Sequence, residues 1–139
     1  MTISTTNTKN SYAGNGSTSV FQYTFKISLD SEIQVIIRAS SGAETIKTIT
    51  THYTVSGAGN ASGGNVTFTS GNIPASGETV IIRRNTGQTQ TLDLVENDPF
   101  SAETVEGAFD KSISLVQELQ EQLDRSIKVS RSTTITTPE

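Results

Sequence analysis

Few residues in this chain are of the types that do chemistry, and their spacing decides what chemistry is open to them. The one histidine, His52, follows Thr51 at the start of a strand-like stretch. A catalytic base needs a nucleophile to deprotonate or a carboxylate to orient it, and no motif supplies either, so a surface position is expected. Asp93, Glu96 and Asp98 crowd six residues and are oxygen ligands a cation would accept. The D-x-[DN]-x-[DN]-G spacing of a calcium loop is absent, and these acids instead suit a solvated loop ahead of a helix N-terminus. Gly57-Ala58-Gly59-Asn60-Ala61-Ser62 nearly spells a dinucleotide loop, but Ser62 replaces the third glycine and no strand-to-helix step follows. Arg83 and Arg84 end a strand-like stretch, where a solvated edge and an intersubunit ion pair are both open readings. No catalytic, cofactor-binding or metal site emerges, and no enzyme activity is expected.

With no acid/base or nucleophile constellation, the informative stretch is the last third. Ser101 is a good N-cap, because its hydroxyl accepts from a free N–H of the first turn. Phe100 and Val105 have the spacing of a hydrophobic staple, and Pro99 lies outside the helix. Glu103 and Glu106 sit near the positive end, with Arg125 and Lys128 near the negative one. The pattern predicts one helix from Ala102 to about Ile127.

Its apolar positions are Val105, Phe109, Ile113, Val116, Leu119, Leu123 and Ile127, separated by three or four residues. With Phe109, Val116 and Leu123 as heptad a, Val105 and Leu119 fall at d, and Ser112 and Ser126 are polar d positions. Ile113 and Ile127 fall at e and widen the stripe. These seven are the candidate oligomerisation residues. Some 25 helical residues would span roughly 38 Å, more than the width of a sandwich this small. A lone helix is marginal in water, so the stripe needs a partner. It can pack on its own sheet or on copies of itself, and the two combine if Val105 and Phe109 meet the sheet while Val116, Leu119 and Leu123 join chains.

Ahead of the helix the chain reads as short strands and turns. Residues 1–10 form a polar, Thr-rich flexible arm, and Ser11 to Ser17 a turn with two glycines. Phe21, Tyr23, Phe25, Ile27 and Leu29 alternate with polar residues, the period of a half-buried strand. Ile33 to Arg38 is apolar on both faces and central. Thr45 to Ile49 and Tyr53 to Val55 follow, then a mobile glycine loop from Gly57 to Asn65. Val66 to Thr69 and Val80 to Arg83 are further strands, with Pro74 in a turn between them. Asn85-Thr86-Gly87 predicts a hairpin returning through Thr89 to Leu94. The fold class is mainly β: a small antiparallel β-sandwich of about seven strands over 11–98, then an oligomerising C-terminal helix over 99–128, with 129–139 a linker or tail.

Bulk properties agree with a structural part. Hydrophobic residues make up 32% of the 139, so the core is thin and leans on partner chains. Net charge is −4 and no basic cluster exceeds Arg83-Arg84, which removes a nucleic-acid footprint. There are no cysteines for disulfides or thiolate metal sites. The first residues lack the apolar core of a secretory signal, and no apolar run reaches membrane-spanning length, so folding in the cytosol is expected. The sequons at Asn15, Asn60 and Asn65 then read as turn chemistry.

An ordered set of motifs carries a resemblance. Tyr12-x-Gly14-Asn15-Gly16-Ser17-Thr18, Phe21, Phe25, Ile33-x-Val35 and His52-Tyr53-Thr54-Val55 form its first half. Gly64-Asn65-Val66-Thr67-Phe68, Pro74-x-x-Gly77-x-x-Val80-x-Ile82-x-Arg84 and the Ala108-Phe109-Asp110 helix form its second. Over roughly residues 10 to 125 the chain resembles the N-terminal, virion-anchoring domain of tail-fibre and tailspike proteins of short-tailed bacteriophages. The resemblance implies a homotrimer and docking on phage tail proteins (tail tube, adaptor or nozzle), with no cofactor, nucleic acid or membrane partner. It implies a virion protein assembled in the host cytoplasm. The chain is then either a piece of a longer fibre or a short adaptor carrying a downstream receptor-binding fibre protein. The alternative is a glycan-binding or adhesin sandwich, against which stands the lack of Trp.

Overall fold

Strand pairing in the computed structural model, which describes residues 2–97, 99, 101–128 and 130–132, follows from the alternation in the sequence. The strands are β1 (Lys9–Ala13), β2 (Val20–Tyr23), β3 (Ile33–Arg38), β4 (Glu44–Lys47), β5 (Tyr53–Ser56), β6 (Gly64–Phe68) and β7 (Thr79–Arg84), and the helix is α1 (Ala102–Asp124). They form a four-stranded sheet, β1-β7-β3-β4, and a three-stranded sheet, β2-β6-β5, both antiparallel. Val35, Ile37, Val80 and Ile82 of the first sheet share one core with Phe21, Tyr23, Tyr53, Val66 and Phe68 of the second. This is the mainly β sandwich with a single helix that the periodicity predicts.

Two strands depart from the prediction. The stretch Thr89 to Leu94 belongs to neither sheet. The β7 edge it was to pair with is taken by β1, with Tyr12 opposite Val80 and Lys9 opposite Arg83. Thus Lys9 and Asn10, predicted in the arm, and Ser11 to Ala13, predicted in a turn, are sheet. The long strand from Phe21 to Leu29 also ends early, at Tyr23. Past that point the backbone N–H of Thr24 donates to Asn10 Oδ1 (3.0 Å), so a side chain replaces the partner strand. The alternation itself persists, and Phe25 and Ile27 remain in the core.

The glycine loop is shorter than predicted, because Gly64 and Asn65 already belong to β6. Gly63 has φ +87°, and a Cβ there would stand 2.0 Å from the Tyr23 carbonyl oxygen. Only glycine fits that approach. The helix starts as predicted, with Ser101 in extended conformation and its Oγ accepting from Thr104 N (3.4 Å). It ends at Asp124, about one turn before Ile127, where Arg125 N–H still donates to the Glu121 carbonyl. Phe100 of the predicted staple, Asp98 of the acidic cluster and residues 129 and 133–139 of the linker lie outside the described residues.

Candidate oligomerisation surface

Which face of α1 meets the β-domain is decided by a polar cluster. Asp110, Ser114 and Glu118, spaced by four, are the buried residues of the helix. Their counterpart is Arg84, the last inward position of β7 after Val80 and Ile82, with only 1% of its surface exposed. Arg84 Nε donates to Glu118 Oε1 (3.1 Å), and its Nη2 to Gln117 Oε1 (2.7 Å) and the Ser114 carbonyl (3.4 Å). Its Nη1 donates to the Lys26 carbonyl (3.3 Å). The Glu118 carboxylate also accepts from Thr86 Oγ1 (2.6 Å) and Thr86 N (3.1 Å). A buried guanidinium and carboxylate, each with several partners, meet the condition for placing charge away from water.

A second pair lies closer to the helix start. Lys26 Nζ bonds Asp110 Oδ2 (2.5 Å), and Asp110 Oδ1 accepts from Ile3 N (3.3 Å). The segment predicted as a loose arm is drawn along the helix in this way. Gln117 Nε2 donates to the Thr5 carbonyl (3.0 Å), Thr8 is buried, and Arg84 N donates to the Thr8 carbonyl (3.0 Å). Lys9 stands 3.6 Å from Glu121. Burial pushes the Glu121 carboxyl up, but the hydrogen bond and charge of Arg125, with Lys9 behind them, outweigh it and hold the group below the usual range.

The opposite face of α1 is apolar and faces outward. Phe109 is 68% exposed and Leu119 59%, and Ile113, Val116 and Leu123 are exposed with them, as is Ile127 beyond the helix end. Of the seven predicted seam residues only Val105 is half-buried. Phe109 therefore does not pack on the sheet, which corrects the combined arrangement in which it would. Arg84 is corrected too: it is neither at a solvated edge nor in an intersubunit pair, but closes an ion pair within its own chain. Sequence reasoning missed this cluster, although period 2 along β7 already turns Arg84 inward after Val80 and Ile82.

The other candidate residues serve local structure. His52 Nδ1 accepts from Thr48 N (3.0 Å), a turn contact. Among the described residues no group of three His, Cys, Asp or Glu side chains is placed to hold a metal, and no helix is long and apolar enough to cross a membrane. Tyr23 and Tyr53 are in the core, and Tyr12 packs against it with its hydroxyl on the Gln22 carbonyl (2.6 Å), so the tyrosines offer no sugar platform.

No family model matches the chain. It is 37% identical over 128 residues to the tail spike protein of Salmonella phage epsilon15. This similarity supports a bacteriophage tail protein. The alignment takes in 92% of this chain and 12% of the tail spike, so the chain spans about one eighth of that relative's length.

Proposed function

We propose that this chain is the anchoring segment of a phage tail fibre or tail spike, or an adaptor for one, assembled as a homotrimer through α1. The observation that carries the reading is the inverted helix: its charges face its own β-domain while its apolar seam faces away. In the heptad frame Asp110, Glu118, Glu121, Asp124 and Arg125 fall at b, c and f, and the flanking e and g positions from Ala108 to Ile127 carry no charge. Identical helices then meet without like-charge repulsion, and each exposed leucine stabilises their association by about 1.5–3 kcal/mol when fully buried. Residues 11–98 serve as the head that docks on tail proteins (tail tube, adaptor or nozzle), residues 99–128 join the copies, and residues 129–139 lead toward a receptor-binding fibre. The part is structural rather than catalytic, in a virion assembled in the host cytoplasm. The similarity to an epsilon15 tail spike supports the phage context. Multi-angle light scattering on the purified chain tests the reading. A mass of three chains is expected, and a stable monomer at micromolar concentration overturns it.

A further inference from the structure

The unpaired stretch after β7 borders a cleft. Residues 88–93 run beside the first half of α1 and enclose about 590 Å³, a volume that takes several side chains. Leu29, Leu92, Ala108 and Leu115 give the cleft apolar walls, and Ser112 lies at the seam side. Lys111 Nζ donates to the Thr89 carbonyl and ties the stretch to the helix. Beyond the cleft, Leu94 and Val95 are 61% and 59% exposed. The stretch alternates like a strand yet has no ladder partner among the described residues.

Heptad geometry says what fits there. Ala108 and Leu115 are g positions, so the cleft lies along the g flank of the seam. Ile113 is an e position, 49% exposed, on the far flank about 160° round the helix from Leu115. In a parallel bundle the g flank of one helix meets the e flank of the next. We propose that the cleft between residues 88–93 and α1 is a socket for a second copy of this chain, filled by the neighbour's Ile113 flank, with residues 88–95 clasping across the joint. From Ala108 to Ile127 the e and g edges carry no charge, Glu106 being the charged e position before them, and this favours an identical chain over a charged partner. This rests on the oligomer proposed above, and makes each joint a three-part contact of helix, helix and clasp.

The chain has no native cysteine, so the neighbours can be mapped by linking. Leu92→Cys and Ile113→Cys are placed on separately tagged chains, co-expressed, and treated with a short bis-maleimide. Only a link between chains can join the two tags. Ser112→Cys, at a seam d position, reports helix assembly independently. The expected result is a covalent product carrying both tags, together with Ser112→Cys dimers. Seam dimers without the two-tag product overturn the socket and leave the oligomer standing. Neither product, with a monomer mass by light scattering, overturns both.

Discussion

Arg84 sits at the end of a run of inward positions that are otherwise valine and isoleucine, and it shows how one side chain sets the orientation of an element. Its partners come from two separate stretches of chain, Lys26 after β2 and Ser114, Gln117 and Glu118 on α1, with Thr86 completing the carboxylate's shell. Arg84→Met should cost about 3–5 kcal/mol, because it leaves the Glu118 carboxylate buried without its counter-charge. Adding Glu118→Leu should recover much of that loss, since a well-packed apolar pair often replaces a buried ion pair at little cost. Urea denaturation of the single and double variants reads both. Tyr23 gives a second test. Its hydroxyl donates to the Ser56 carbonyl (2.7 Å), and burial, with Asp30 adding to it, pushes the phenol from 10.0 up to about 12. The folded state holds this proton more tightly than the unfolded one. The resulting stability is complete below pH 10.0, falls as pH rises, and is gone above about 12. Burial raises the Tyr53 phenol as well, so phenolate absorbance should show late-titrating tyrosine, and Tyr23→Phe should shrink that late phase by one tyrosine.

At the scale of elements, the strongly periodic segments were legible and their partners were not. β3, β5, β6 and β7 lie within a residue or two of prediction, because alternation and branched side chains mark a buried strand directly. Thr89 to Leu94 has the same alternation, but sequence does not say that β1 reaches the β7 edge first. The seam of α1 was legible as a stripe; that it turns away from the sheet was not. That outcome depends on Asp110, Ser114, Gln117 and Glu118, which read as solvated surface until Arg84 and Lys26 are placed against them. The turn between β5 and β6 belongs to this scale as well. Gly63→Ala combines a positive φ with a Cβ 2.0 Å from the Tyr23 carbonyl. Such strain costs on the order of 1–3 kcal/mol, and a lowered urea midpoint with unchanged slope is the expected outcome.

At the scale of the whole molecule, the β-sandwich covers its own core, whereas among the described residues nothing covers the apolar stripe of the helix. Leu119→Asp with Leu123→Asp should dissociate the proposed oligomer and leave the β-domain's circular dichroism largely unchanged. The substitutions lie on the outward face, away from the Arg84 cluster, so loss of assembly with a retained β spectrum is specific to the seam. Loss of both signals would instead mean that the β-domain depends on assembly to fold.

The bonds between α1 and the β-domain are spread along the helix, from Asp110 through Gln117 and Glu118 to Glu121. That is some 11 residues, or about 17 Å. A pull on the chain beyond the helix, directed along its axis, strains these bonds side by side in shear instead of peeling them open in succession. Tension from whatever follows residue 128 is thereby shared among three ion pairs and their neighbours before any strand has to move.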